Sequence, residues 1–221
     1  MIAKEHINAD IPFIRLSDTL DYALSIMEDY KFSQLPVVSD EHKLIGILDE
    51  NSLLNQHDFS LSIETILLRA KEISIGPNVH IYEVLRYSVD YETSIVPITG
   101  DNDLYIGSIG IFGLVSILSE LNAVRNKGAI LVLDIKQRDY SLSEIARIAE
   151  DSNLQILSSG ITQNIEEPTR IYVTLKFNQE IIQSAISSFS RYDYTITATF
   201  QGNTPDDDKD RLDHLFKYLD I

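Results

Sequence analysis

A gapless internal repeat constrains this chain more than any other feature. Shifted forward by 61 positions, the segment from Ile14 to Leu54 meets its own sequence again. Ile14 falls on Ile75, Leu24 on Leu85, Asp29-Tyr30 on Asp90-Tyr91, Ser33 on Ser94 and Pro36 on Pro97. Asp40 then falls on Asp101, Ile45-Gly46 on Ile106-Gly107, and Leu53 on Leu114. The identities sit at turns and apolar positions. A repeat of this kind implies two copies of one supersecondary unit, which bury their apolar faces against each other.

Each copy reads as strand, helix, strand, strand, helix. In the first, Phe13 to Leu16 is a short strand, and Asp18 is expected to cap a helix with Asp21 completing a capping box. Leu20, Ala23, Leu24 and Met27 give that helix its apolar stripe. Leu35-Pro36-Val37-Val38 is a buried strand with proline near its start, and Ser39 to Lys43 turns into a second strand, Leu44 to Leu48. A helix over Asn51 to Asn55 follows. The second copy repeats the order with a strand at Ile73 to Ile75, a helix over Ile81 to Val89, strands at Ile95 to Ile98 and Tyr105 to Ile109, and a helix from Gly113 to Leu121. Between the copies, Ile63, Ile66, Leu67 and Ala70 recur at helical spacing, so Leu61 to Ala70 is expected to be a linking helix.

A capped helix, then Leu-Pro-Val-Val, then a turn and Leu-Ile-Gly-Ile-Leu, resembles the CBS motif. Two in tandem resemble a Bateman module, and the resemblance covers Met1 to Asn122. It implies a pseudo-symmetric pair with a central cleft for an adenosine-type ligand. Nucleotide-binding members typically continue Gly-h-h-Thr-x-x-Asp, h being apolar. There the hydroxyl and helix N-terminus hold phosphate and the carboxylate takes the ribose diol. This chain departs from that pattern in both copies. The first reads Gly46-Ile47-Leu48-Asp49-Glu50-Asn51-Ser52, placing Asp49 at the hydroxyl position and Ser52 at the carboxylate position. The second reads Gly107 to Gly113, with Gly110 and Gly113 at the two positions. A carboxylate about 4 Å from a phosphate charge costs roughly 1 kcal/mol in bulk water and about 4 in a half-buried cleft. Either Asp49 turns away or the first copy holds no phosphate in the family manner. The readings left open are a neutral adenosine, a cation-bridged ligand and no ligand.

Past Gly128 the pattern changes. Ala129 to Ile135 is an apolar strand. Ser141-Leu142-Ser143-Glu144 is a capping box opening a helix, and Leu154 to Ile161 is a strand. Arg170 to Phe177 alternates, with Ile171, Val173, Leu175 and Phe177 inward. Gln179 to Phe189 is a helix, and Tyr194 to Phe200 alternates again. The order βαββαβ is that of a ferredoxin-like plait. After a CBS pair it resembles an ACT domain, and the whole resembles CBS–ACT proteins of the acetoin-utilisation accessory type. Amino-acid effectors dock in the first strand-to-helix turn of such domains, beside a glycine. Here that turn is Gln137 to Tyr140 without glycine, so Asp139 and Tyr140 are its candidate ligand-binding residues. A last helix is expected from Pro205 to Leu219, with Leu212, Leu215, Phe216 and Leu219 as its stripe.

The expected class is therefore α+β. A tandem CBS module spans 1–125, its copies at 11–55 and 72–122, and an ACT-like domain with an extra C-terminal helix spans 128–221. Candidate ligand residues in the CBS cleft are Asp49, Ser52, Gly110 and Gly113. A formal net charge of −16 argues against nucleic-acid and anionic-membrane partners, whose phosphates recruit Lys and Arg. The absence of cysteine removes thiol nucleophiles, thiolate metal sites and disulfides. The five histidines show no ligand spacing and no catalytic motif occurs. The expectation is thus a non-catalytic regulator without a metal, carrying an adenosine-type ligand or none, in the cytoplasm. It is expected to be a homodimer or larger with a regulated protein partner. The alternative is a ligand-free scaffold acting through its dimer surfaces.

Overall fold

The computed structural model describes residues 1–66 and 74–202. They divide into two compact units, Met1–Ile117 and the remainder from Leu118. No helix among the described residues is long and apolar enough to cross a membrane.

In the first unit both copies build the same frame. Strand β1 (Ile14–Arg15) pairs in parallel with β2 (Gln34–Val38), which pairs antiparallel with β3 (Leu44–Asp49). Helix α1 (Leu20–Tyr30) joins β1 to β2, and α2 (Glu50–Leu54) follows β3. The second copy has α3 (Ile81–Asp90), β4 (Ile95–Thr99), β5 (Tyr105–Gly110) and α4 (Ile111–Leu121). Its counterpart of β1 is a single parallel bridge, Ile75 to Ile98, which is the Ile14–Val37 pairing moved by the repeat length. Both hairpins shift register at the same place, after Val37 and after Ile98. Every residue of β2 is buried, as a strand covered on both faces must be. Pro36 lies beyond the end of the β1 pairing, so its missing N–H leaves no β1 acceptor wanting.

Several sequence expectations are corrected. The cap of α1 is Thr19, whose hydroxyl accepts from Tyr22 N at 3.2 Å. Asp18 instead accepts from Arg15 N at 2.8 Å and closes the preceding turn. The linking helix does not form within 61–66. Ile63–Thr65 is a single 3₁₀ turn and Ile66 is extended; 67–73, with the expected strand start at Ile73, lies outside the described residues, as does the helix expected over Pro205 to Leu219. Helix α4 begins at Ile111 rather than Gly113.

The linker and the N-terminus play matching roles. Ile63 N donates to Asp18 O, and Leu20 N to Leu61 O, both at 3.0 Å. At the start of the second copy, Ala3 N donates to Val79 O and Lys4 N to Pro77 O, both at 2.9 Å. Residues 2–8 thus complete the second copy, and residues 59–66 complete the first.

The second unit carries β6 (Ile130–Lys136), α5 (Leu142–Asp151), β7 (Ile156–Gln163), β8 (Arg170–Phe177), α6 (Gln183–Arg191) and β9 (Thr195–Phe200). All pairings are antiparallel and the sheet order is β7-β8-β6-β9. Leu131, Leu133, Val173, Leu175 and Phe177 face Ile145, Ile148, Ala185 and Phe189 of the two helices in one core. Ser141 caps α5, accepting from Glu144 N at 3.3 Å. Helix α6 starts at Gln183, later than the apolar spacing from Gln179 suggests, and Ile181 is left exposed.

Gly128 enters β6 at φ +148°, and a Cβ there would collide with the Phe177 carbonyl. Gly128→Ala is expected to cost about 2–3 kcal/mol, the scale of forced backbone strain, in urea denaturation. Gly160 in β7 has nothing within 4 Å of its Cβ position, so Gly160→Ala should be neutral or gain up to about 1 kcal/mol.

Candidate functional site

Asp49 ends β3 opposite Gln34, the first residue of β2. Its extended backbone, φ −95° and ψ 142°, makes it the N-cap residue of α2, yet its carboxylate does not cap that helix. Instead Asp49 Oδ1 accepts from Gln34 Nε2 at 2.6 Å. Gln34 is only 6% exposed. Its Oε1 accepts from Ser94 N at 2.7 Å, Ser94 Oγ at 2.9 Å and Thr93 Oγ1 at 3.0 Å. The Ser94 N–H can only donate, so it fixes which end of the amide faces the second copy; the amide nitrogen is left to meet Asp49. The half-buried carboxylate is therefore clamped by a charge-assisted bond from a side chain that is itself anchored across the repeat.

Backbone supports are duplicated around this point. Glu50 N donates to Ser33 O, and its counterpart Ile111 N donates to Ser94 O, both at 2.8 Å. The side chains are not duplicated. In the second copy Ile95 stands for Gln34 and Gly110 for Asp49. Ile95 packs with Ile11, Ile47 and Phe32. Ser52 is half-buried in the first turn of α2, near Asp49, and its carbonyl accepts from Gln56 Nε2 at 3.3 Å. Gly113 is exposed, with Ile109 Cγ2 at 3.8 Å from its Cβ position. A hollow of about 340 Å³, lined by Lys31, Phe32, Ser33 and Glu50 among others, opens beside the Asp49 turn.

In the second unit the turn after β6 is a 3₁₀ segment, Gln137–Asp139. Asp139 lines a cavity of about 350 Å³ with Asp134, Lys136, Glu144, Arg170 and Tyr194 among others. Tyr140 does not line it; that ring packs against the core of the unit. Arg170 Nε donates to Asp134 Oδ1 at 2.7 Å and Arg170 Nη2 to Asp134 O at 3.1 Å. The Tyr194 hydroxyl donates to Glu144 Oε2 at 3.2 Å. Burial, then the Glu144 carboxylate, push the Tyr194 phenol up to about 12, so near neutral pH it faces the cavity as a neutral donor.

Sequence reasoning singled out Asp49 and Ser52 but missed Gln34, Thr93, Ser94 and Ile11. The available signal was faint: Gln34 is the polar residue of an otherwise apolar strand, and the serine after which the strands begin recurs in both copies. Among the described residues, no three His, Asp or Glu side chains gather as a metal site.

Comparison with known proteins bears on the first copy above all. Residues 3–56 match the CBS domain. The chain is 28% identical over 131 residues to inosine-5'-monophosphate dehydrogenase of Methanocaldococcus jannaschii, a match over 59% of this chain but 26% of the dehydrogenase. Another is 37% identical over 49 residues to homoserine O-acetyltransferase of Methanosarcina acetivorans, 22% of this chain and 9% of that protein. Among solved structures, a CBS domain pair/ACT domain protein from Thermotoga maritima is similar with TM-score 0.51 and 18% identity. The similarity covers 54% of this chain and 98% of that one. At that identity it shows the fold of the covered part alone.

Gln34→Glu keeps an acceptor for Ser94 N but replaces the amide donor with a carboxyl oxygen set against the Asp49 carboxylate. Near pH 7 it should destabilise the first unit by about 2–4 kcal/mol, the range for a broken buried polar network. Crowding by Asp49 raises the folded-state pKa of the introduced acid above its unfolded value. The loss should therefore shrink as pH falls through that raised value toward the unfolded one. Urea denaturation at pH 7 and pH 4.5 checks it; an equal loss at both would contradict the clamp.

Proposed function

We propose that the chain is a non-catalytic regulatory or small-molecule-sensing protein whose two copies act as a Bateman-type pair with residues 128–221 as an ACT-like, ferredoxin-like plait. The βαββαβ order and the sheet order β7-β8-β6-β9 support the plait, and the Thermotoga maritima relative pairs the same two domain types by name.

The observation that carries the ligand reading is the clamped Asp49. A half-buried carboxylate at the start of α2 repels phosphate but accepts well from hydroxyl and amine donors. The ligand class that fits is an adenosine-type molecule without phosphate, its ribose diol turned toward Asp49 and Ser52. ATP and AMP bind poorly on this reading unless a divalent cation bridges the charges. Asp139 and its cavity form a second, independent candidate in the plait.

The second reading is a ligand-free scaffold acting through subunit contacts. It is favoured by apolar side chains left in solvent on α3 and α4: Val89 is 73% exposed, Phe112 85% and Val115 52%. Such side chains suit an isologous homodimer or the surface of a regulated protein.

Thermal denaturation separates the two. Adenosine at 100 times its dissociation constant should stabilise the protein by about 2.7 kcal/mol, and ATP without divalent cation should do far less. Asp49→Thr with Ser52→Asp should reverse that order. Stabilisation by neither nucleoside nor nucleotide would favour the scaffold. Light scattering at micromolar concentration should give at least twice the 25.1 kDa of one chain; a monomer would count against the assembly and the scaffold alike.

A further inference from the structure

We propose that the first unit takes a single ligand, because its own N-terminal segment occupies the second-copy counterpart of the Asp49 position. The inference rests on the reading of Asp49 as a ligand position. Residues 7–11 track along β5. Ile7 packs on Gly107, where a Cβ would collide with Ile7 Cγ2. Asn8 N donates to Ser108 O at 2.9 Å. Ile11 then reaches Gly110, its Cδ1 standing 3.2 Å from where a Cβ would be, with Phe32 Cε1 at 3.9 Å.

Gly110 is the residue that the repeat equates with Asp49, and Ile95 the one it equates with Gln34. Where the first copy directs a carboxylate and an amide, the second presents no polar side chain at either position. The space in front of Gly110 is taken by Ile11, which is 4% exposed and shares a closed apolar cluster with Ile47, Ile95 and Phe32. A ligand ring and the Ile11 side chain cannot occupy that space together. Backbone bonds from Ala3 and Lys4 to Val79 and Pro77 hold the segment down on the same copy, so Ile11 is an integral part of that copy's packing. The two positions have diverged in chemistry: one presents a carboxylate and an amide, the other no polar side chain, with Ile11 in front of it.

Two measurements test this. In calorimetry, adenosine should bind the full chain carrying Asp139→Ala, which disables the second-unit candidate, with a stoichiometry of one per chain, and two would overturn the proposal. Independently of any ligand, Gly110→Val and Ile11→Ala should each lower the melting midpoint by about 5 °C or more. The double variant should lose clearly less than the sum of the singles, because the valine fills the space the isoleucine vacates. Additive losses, or no loss from Gly110→Val, would overturn it. If no adenosine binds, the reading of Asp49 fails, and the variant cycle still decides whether Ile11 fills the second position.

Discussion

The Gln34 side chain is the polar contact on which the geometry of the first unit turns. Apolar packing between the copies is non-directional and tolerates sliding, whereas an amide engaged at both ends does not. Its carbonyl meets three donors of the second copy and its nitrogen meets Asp49 of the first. A shift of β2 by one residue would bring Leu35 to this place and invert every side chain of the strand. It would also leave the part-buried Ser94 N–H without its acceptor, at about 1–3 kcal/mol for an unsatisfied group. The buried amide thus sets register between the copies, and the acid at the candidate site is oriented as a by-product of holding them together.

The exchange of flanking segments adds a second constraint. The start of α1 is bonded by residues from the linker, and the start of α3 region by residues from the N-terminus. Neither copy is complete within its own repeat, which explains why the repeat must occur in tandem to bury its core. The hairpin ends meet as well. Tyr105 N donates to His42 O at 3.0 Å, and the rings of Phe13, His42 and Tyr105 pack edge to face. Burial pushes the Tyr105 phenol up to about 12, against the opposing effect of its hydrogen bond with Ser108, so this contact keeps its neutral hydroxyl.

How far the sequence reveals such an arrangement depends on the range of the interaction. The repeat, the hairpins and the alternation of β8 are local patterns, and they lie within a residue or two of where they were expected. Asp18 and Thr19 both satisfy the chemistry of a cap, and only the turn geometry decides between them. Ile63 and Ile66 are three apart and both buried, but a 3₁₀ turn meets that spacing as well as an α-helix does. Gln34 and Ser94 are 60 residues apart, and no local periodicity marks one as the partner of the other. The Asp49 position was visible from motif spacing; what holds its carboxylate was not.

The divergence between the two copies also bears on charge. With a net charge of −16, the protein meets any anion against an unfavourable long-range potential. A phosphate-binding cleft would have to overcome that field locally with hydroxyls, helix N–H groups and cations. At the first position the nearest side chain is instead a carboxylate, and its partner Gln34 is neutral and already committed. At the second the surroundings are apolar, and an ion entering there would lose its hydration without recovering it. In the second unit the cavity lined by Asp134, Glu144 and Asp139 also contains Lys136 and Arg170, and the Arg170 guanidinium is turned onto Asp134. On the proposed reading, local chemistry and global field act in the same direction at the Asp49 and Gly110 positions, toward ligands without negative charge.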